Sequence, residues 1–147
     1  MYKHVLVPTD GSGLSEMAIR QGVAFARAIR AKVTALTVSP SFPAFAIDPI
    51  MVPYTPGPEQ YAMDSEARAE KFLAVARVEA GIAGVPCETL HVIQDHVYEA
   101  IIDTANKKGC DLIFMASHGR KGMSALVLGS ETYKVLSHSM IPVLVCR

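Results

Sequence analysis

The sequence has no excess of charge of either sign. Its 14 lysine and arginine residues balance 14 aspartate and glutamate residues, and charged residues make up only 19% of the chain. Proteins that bind nucleic acid as their main partner normally carry a basic patch that neutralises phosphates. The balanced composition therefore argues against nucleic acid as a partner.

Long hydrophobic runs are absent too, and cysteine is scarce. No apolar stretch approaches the roughly 18 residues that a membrane-spanning helix needs. The first apolar run, residues 5–7, is too short for the core of a signal peptide. Cys87, Cys110 and Cys146 are widely spread and form no Cys-x-x-Cys pair, which is typical of reduced intracellular thiols. These patterns predict a cytoplasmic protein with no membrane segment.

Apolar runs of strand length alternate with amphipathic segments of helix length. Half of the 147 residues are hydrophobic, which suffices for one sizeable core, and the length predicts a single domain over residues 1–147. Such alternation predicts an α/β fold with a parallel sheet and helices on both faces. The predicted strands are 5–7, 32–38, 87–92, 112–116 and 143–146, and the predicted helices run over about 14–29, 61–83, 96–108 and 130–137. Ser12 and Asp95 are expected to cap the first and third helices.

A proline-rich insertion is predicted over about residues 39–60. It holds six of the nine prolines, a density that excludes a helix interior or a central strand. Several large apolar residues in the same segment make it too hydrophobic for a solvated linker. We expect it to fold back over the ligand edge of the sheet or to contact a partner subunit.

The segment that says most about function lies between the fourth strand and the fourth helix. Gly119 has no Cβ and permits close approach of a ligand, and the pair Gly129-Ser130 stands at the start of the helix. Free N–H groups and the helix dipole attract anions at such a position. The segment therefore predicts a nucleotide phosphate site, in which Ser130 serves as a ligand donor, as the N-cap of the helix, or as both.

Written as Ala116-x2-Gly119-x9-Gly129-Ser130, this segment resembles the nucleotide-binding motif of the universal stress protein family, Gly-x2-Gly-x9-Gly-Ser/Thr. The opening stretch, residues 5–12, resembles the first strand and turn of that family, and residues 142–147 resemble its closing strand. Together the three motifs span essentially the whole chain. One departure stands out, because the first glycine of the motif is Ala116 here and its methyl group could crowd a ligand.

The resemblance implies a Rossmann-like sheet with strand order 3-2-1-4-5. It also implies a stress-response protein that binds ATP, or AMP or ADP, with Mg²⁺ or Mn²⁺ held through the phosphates. Ligands of such sheets bind where the strand order reverses, here between the first and fourth strands. The residues expected to contact the nucleotide are Pro8, Thr9, Asp10, Val38, Met115, Ala116, His118, Gly119, Arg120, Gly129, Ser130, Glu131 and Thr132.

Several of these residues have two interpretations. Asp10 either contacts ribose or a metal, or forms the turn before the first helix. Val38 pairs through its backbone with the adenine edge, as the resemblance implies, or simply ends a strand. Arg120, with Lys121, screens phosphate charge or is a solvated loop cation. The carboxylate of Glu131 is expected to point outward, since it would repel phosphate.

The sequence assigns no catalytic residue. His118 follows Ser117, but neighbouring residues do not normally face each other and no Gly-x-Ser-x-Gly elbow is present, so we expect a structural or ligand-lining role for His118. No Gly-x4-Gly-Lys-Ser/Thr occurs, and the histidines show no metal-ligand spacing. At most slow ATP hydrolysis is predicted.

The last expectation concerns assembly. Residues 142–146 would form an apolar edge strand, and such an edge invites pairing with another chain. The resemblance implies a homodimer in which this strand pairs antiparallel with its own copy. A monomer whose edge is covered by the proline-rich segment is the alternative. A dimeric stress or interaction protein that no longer uses nucleotide is the alternative function, and Ala116 supports it.

Overall fold

Five strands and four helices alternate along the chain in the computed structural model, which describes residues 1–42, 56–120 and 127–147. The strands are β1 (His4–Pro8), β2 (Lys32–Ser39), β3 (Cys87–Ile93), β4 (Leu112–Ala116) and β5 (Val143–Cys146). The helices are α1 (Gly13–Ile29), α2 (Pro58–Ala83), α3 (Val97–Lys108) and α4 (Ser130–His138). Every predicted strand and helix is present, and the boundaries differ by no more than a few residues.

The five strands form one parallel sheet in the order β3-β2-β1-β4-β5, which confirms the predicted order. β1 is the central strand: Val5 is paired with Val33 of β2 on one side and with Leu112 of β4 on the other. The strand order reverses between β1 and β4. The carboxyl ends of these two strands therefore flank the position where such sheets bind ligands.

The core consists of two layers, one on each face of the sheet. Val5 and Val7 point toward α1 and α2, whereas Leu6 points toward α3 and α4, because successive side chains of a strand alternate between faces. All three are at most 1% exposed. Gly22 lets α1 approach the sheet closely, since a Cβ there would lie 3.0 Å from Val7 Cγ2.

The helix ends follow mostly local rules. Ser12 caps α1 as predicted, because its hydroxyl accepts the N–H of Ser15 at 3.2 Å. Gly109, at φ 67°, ends α3 as predicted. α2 begins at Pro58, a turn earlier than predicted, since proline is well tolerated at the first helical position.

The predicted cap of α3 is wrong. His96 occupies the N-cap position and makes no capping hydrogen bond through its side chain. Asp95 precedes it, and its Oδ1 accepts both the N–H of Ser41 at 2.9 Å and the hydroxyl of Ser41 at 2.6 Å. A long-range partner thus replaces the local capping contact.

Only the two ends of the proline-rich segment belong to the described residues. Tyr61 holds both ends together: its hydroxyl donates to the carbonyl of Pro40 at 2.9 Å, and its ring contacts Phe42 edge-on at 5.5 Å. The expected fold-back over the ligand edge concerns residues 43–55, which lie outside the described residues. No helix within the described ranges has the length and apolar character that crossing a bilayer requires.

Candidate functional site

A cavity of about 610 Å³ opens at the carboxyl edge of the sheet, within the range of about 300–1,000 Å³ typical of ligand pockets. Every residue predicted from the sequence lines it: Pro8, Thr9, Asp10, Val38, Met115, Ala116, His118, Gly119, Arg120, Gly129, Ser130, Glu131 and Thr132. The fold therefore brings together three sequence segments that were singled out separately.

Sequence reasoning missed a second group of lining residues, namely Ser15, Leu36, Pro40, Gln94, Asp95, Val97 and Ile101. Gln94 and Asp95 directly follow β3, so a search of every strand end could have found them. Leu36 and Ile101 carry no such signal. They are core residues, at most 2% exposed, that reach the cavity only because a strand and a helix meet there.

Asp10 ties the turn after β1 to the loop after β4. Its Oδ1 accepts the N–H of Ser12 at 3.0 Å, and its Oδ2 accepts the N–H of Arg120 at 2.7 Å. Burial on its own raises the pKa of this carboxyl, but the hydrogen bonds from Ser12, Arg120 and Ser15 outweigh burial and hold the pKa below its ordinary value. Asp10 is therefore an ionised turn former that also anchors the neighbouring loop.

Two glycines of the site are required by close packing. A Cβ on Gly119 would lie 2.4 Å from Oδ2 of Asp10, so any side chain there would displace the carboxylate. Gly11 has φ 78°, and a Cβ on it would lie 2.2 Å from Cε1 of Phe72. The sequence had suggested that Gly119 makes room for a phosphate, whereas in the structure it first makes room for Asp10.

Gly129 packs the start of α4 closely against the end of β4. Its N–H donates to the carbonyl of Ser117 at 2.8 Å, and a Cβ on it would lie 3.2 Å from that same oxygen. Gly129 holds the N-cap position, so the alternative role of Ser130 as N-cap is wrong, and Ser130 is the first helical residue. The hydroxyl of Thr132 donates to the carbonyl of Ala116 at 2.9 Å and fixes the helix from the other side.

The first turn of α4 presents N–H groups with no partner inside the helix. The hydrogen bond from the N–H of Tyr133 to the carbonyl of Gly129 is the first of the helix. The N–H groups of Ser130, Glu131 and Thr132 precede it, and all three residues line the cavity. The positive end of the helix dipole lies at the same place.

Ser117 and His118 do contact each other, contrary to the expectation for sequence neighbours. Ser117 Oγ lies 2.9 Å from His118 Nδ1. Ser117 is only 1% exposed, however, so the contact orients the imidazole and does not present a nucleophile to a substrate. Within the described residues, Nε2 of His118 is the one buried side-chain nitrogen or oxygen that has no hydrogen-bond partner.

The charged residues of the site are held by specific partners. The Oε2 of Glu131 accepts the N–H of Tyr98 at 2.9 Å, and its Oε1 lies 3.3 Å from Nζ of Lys134, so the carboxylate is engaged with α3 and its own helix. The guanidinium of Arg120 lies over the ring of Phe72, 4.6 Å from its centroid. Among the described residues, no three histidine, cysteine or carboxylate side chains are placed to hold a metal ion.

The fold and the site together define a doubly wound α/β protein with a crevice at its strand-order reversal. The model of the universal stress protein family matches residues 1–147, and the chain belongs to that family. It is 30% identical over 149 residues to the universal stress protein YxiE of Bacillus subtilis, and the match covers all of both chains.

Two solved structures show the same architecture. One is that of the protein MJ0577 of Methanocaldococcus jannaschii, which is 27% identical, has a TM-score of 0.81, and matches over 99% of this chain and 95% of that one. The other is a universal stress protein in complex with cAMP, which is 28% identical, has a TM-score of 0.67, and matches over 99% of this chain and 97% of that one. A protein similar to this one thus binds an adenine nucleotide.

Proposed function

We propose that the chain binds an adenine nucleotide, ATP or its products ADP and AMP, at the crevice between β1 and β4. It would act in the cytoplasm as a nucleotide-responsive regulator or tolerance factor of the stress response. The observation that carries this proposal is that the first turn of α4 and all the predicted contact residues line one cavity of about 610 Å³. The bound cAMP of a similar protein supports it.

The phosphate group is proposed to lie between Gly119 and the N-terminus of α4. Three N–H groups without helical partners and the helix dipole favour an anion there. Nε2 of His118, which has no hydrogen-bond partner within the described residues, adds a second polar group beside the loop. Two independent features therefore support a ligand at this end of the cavity.

A divalent cation fits this site if it is held mainly by phosphate oxygens. Asp10 could contribute a ligand, but both of its oxygens already accept backbone N–H groups. Within the described residues no ready-made set of metal ligands exists. We therefore expect Mg²⁺ or Mn²⁺ to bind together with the nucleotide and not to the protein alone.

The proposed assembly is a homodimer through residues 142–146. Among the described residues, β5 lies at the edge of the sheet and pairs with β4 alone. Tyr133 and Leu136 on α4 and Met140 before β5 are exposed, and Met140 is 97% exposed. An apolar edge strand beside exposed apolar side chains favours a second copy of the chain as its partner.

The second candidate function is a dimeric stress or interaction protein that does not use nucleotide. Ala116 favours it, because its side chain lies on the cavity wall where the family motif has glycine. The retained Gly119, Gly129 and Ser130 favour the nucleotide-binding function. The two candidates differ in one measurable property, the affinity for nucleotide.

Calorimetric titration with AMP, ADP and ATP, each with and without MgCl₂, tests the proposal. We expect saturable binding of one nucleotide per chain, and mass spectrometry of the supernatant from heated protein is expected to find adenine nucleotide. An absence of binding at about 1 mM nucleotide, corresponding to less than about 4 kcal/mol of binding free energy, would favour the second candidate.

Hydrolysis of bound ATP is expected to be slow. The hydroxyl of Ser117 is buried and hydrogen-bonded to His118, so it is not an accessible nucleophile. Turnover should stay well below about 1 per second, the lower end of dedicated phosphoryl-transfer enzymes. A higher steady-state rate would show that the site is catalytic.

A further inference from the structure

The cavity extends from the phosphate end across the sheet toward β2 and β3. The axes of β3 and β4 are separated by three strand spacings, about 14 Å in all. Leu36 and Val38 of β2, together with Ile101 of α3, give this part of the cavity apolar walls. If phosphate lies beside Gly119, which follows β4, the flat and largely apolar base belongs against these walls.

One carboxylate stands at this end of the cavity. Asp95 follows β3 and lines the cavity. The N–H of Gln94 donates to the carbonyl of Ser39 at 2.9 Å, which extends the ladder between β2 and β3 and fixes the chain just before Asp95. The side chain is fixed as well, because Oδ1 accepts two hydrogen bonds from Ser41.

Only one of the two oxygens of Asp95 is engaged with the described residues. Oδ1 is the atom that Ser41 contacts, whereas Oδ2 accepts no hydrogen bond from the described part of the chain. The hydrogen bonds from the side chain and then the backbone of Ser41 lower the pKa of this carboxyl, so it is ionised at neutral pH. An ionised carboxylate can accept hydrogen bonds but cannot donate one.

We propose that Asp95 helps to determine the base specificity of the site by accepting a hydrogen bond at Oδ2 from the exocyclic amino group of adenine. This inference rests on the proposed nucleotide-binding function. Adenine carries a donor at carbon 6, whereas hypoxanthine and guanine carry a carbonyl oxygen there, which would face the carboxylate without a hydrogen. Two oxygen acceptors that face each other with no hydrogen between them repel, and such a contact disfavours the wrong ligand.

The other polar groups near the base act differently. The amide of Gln94 offers both a donor and an acceptor and can rotate, so it can pair with an amino group or with a carbonyl. The N–H and carbonyl of Val38 are fixed by the strand, so they would favour adenine through nitrogen 1 and one hydrogen of the amino group, and the second hydrogen stays available to Asp95. Asp95 is therefore the side chain at this end of the described cavity lining whose chemistry favours a 6-aminopurine over a 6-oxopurine.

AMP and IMP form a matched pair of ligands, since they carry the same ribose and phosphate and differ only in the group at carbon 6 and in the hydrogen that a 6-oxopurine carries at nitrogen 1. For the unmodified protein we expect AMP to bind at least about fivefold more tightly than IMP, the contribution of roughly one hydrogen bond. In Asp95→Asn, the amide oxygen can still accept from Ser41 while the amide nitrogen can donate to a carbonyl. We expect the ratio of IMP to AMP dissociation constants to fall at least about threefold from that of the unmodified protein, the contribution of roughly one hydrogen bond, with less change in AMP affinity than a lost phosphate contact would cause.

Asp64→Asn is the control variant, because Asp64 is an exposed carboxylate on α2 that accepts from Gln60 and does not line the cavity. It should keep the ratio of the unmodified protein. Asp95→Ser, which also removes the carboxylate, repeats the test in case the thermal melt of the asparagine variant shows a loss of folding.

The outcomes separate the two proposals. If AMP binds but Asp95→Asn retains the ratio of the unmodified protein, or if the unmodified protein does not discriminate, Asp95 does not determine base specificity and the nucleotide site stands. If neither AMP nor IMP binds to the unmodified protein, the proposed function fails, and the role of Asp95 fails with it.

Discussion

The carboxylate of Asp10 accepts the backbone N–H of Arg120 at 2.7 Å, across the point where the strand order of the sheet reverses. The same oxygen occupies the space where a side chain on Gly119 would begin, 2.4 Å from the position of its Cβ. The turn after β1 and the loop after β4 are therefore one unit. The shape of the proposed phosphate site depends on both.

Gly119→Ala should weaken nucleotide binding and lower stability. The added methyl group would displace Asp10 and break its hydrogen bond to Arg120, at a cost of about 1–2 kcal/mol in the free energy of unfolding. Nucleotide affinity should fall at least about tenfold, the equivalent of about 1.4 kcal/mol. Denaturant unfolding and calorimetry measure the two effects.

Gly81→Ala is the matched control. Gly81 lies in α2, and beyond the backbone of its own helix no atom of the described residues lies within 4 Å of the position of its Cβ. Alanine should stabilise this helix by about 0.5–1 kcal/mol and leave nucleotide binding unchanged. If the two substitutions had equal effects on stability and on nucleotide affinity, the packing of Gly119 against Asp10 would contribute to neither.

Ser130→Ala and Thr132→Ala should affect different properties. Ser130 lines the cavity at the first helical position, so its loss should weaken nucleotide binding by about 1 kcal/mol and leave stability nearly unchanged. Thr132 is buried, and its hydroxyl holds α4 to the carbonyl of Ala116. Its replacement should lower the free energy of unfolding by about 1–2 kcal/mol, because it leaves that buried carbonyl unpaired. A loss of stability in Ser130→Ala without a loss of affinity would contradict the assigned roles.

The protein should become less stable as the pH falls below about 6.5. His4 is 5% exposed, and its Nε2 lies 2.7 Å from Thr34 Oγ1. Burial lowers the pKa of His4 from 6.5, the nearby charge of Lys32 lowers it further, and Asp111 opposes the shift. The unfolded chain therefore takes up a proton at His4 at a higher pH than the folded chain does. Stability is lost as the pH falls through the unfolded pKa, with a slope of at most about 1.4 kcal/mol per pH unit from this group.

Thermal melts of the protein and of His4→Gln between pH 7.5 and 5.5 measure this contribution. Glutamine keeps a side-chain amide that can pair with Thr34 but does not titrate. The variant should show a shallower decline in melting temperature over this interval. If the melting temperatures of both proteins declined equally, groups other than His4 would cause the pH dependence.

Two proline substitutions in β5 should separate dimerisation from folding. The carbonyls of Pro142 and Cys146 accept hydrogen bonds from the N–H groups of Ile113 in β4 and of Ser117 just after it. Because the backbone groups of successive residues in a parallel strand point to opposite sides, the backbone groups of Leu144 also face β4. The N–H of Val145 then points to the free edge. Val145→Pro should yield a folded monomer, because proline is tolerated where the N–H of an edge strand does not pair within the sheet.

Leu144→Pro removes an N–H from the ladder with β4 and should lower the melting temperature of the monomer itself. Sedimentation at tens of micromolar and thermal melts distinguish these results. The proposed interface would be wrong if the unmodified protein sedimented as a monomer, or if Val145→Pro remained dimeric.

Most elements of the fold could be predicted because their signals are local. The apolar face of α1, the serine that caps it and the glycine that ends α3 each act within a few residues. The errors arose where a distant residue competed with a local rule. Asp95 has the residue type and nearly the position of a helix cap, yet Ser41, 54 residues away in sequence, holds its carboxylate.

By itself, the sequence determined the alternation of strands and helices, the family motifs and part of the set of residues around the crevice. These follow from local periodicity, turn chemistry and residue spacing. The tertiary structure decided which contacts those residues make: that Gly119 accommodates Asp10, and that the carboxylate of Glu131 accepts from Tyr98. Such contacts join elements or loops whose relative position is fixed only by packing on the sheet, and no spacing within one segment encodes them.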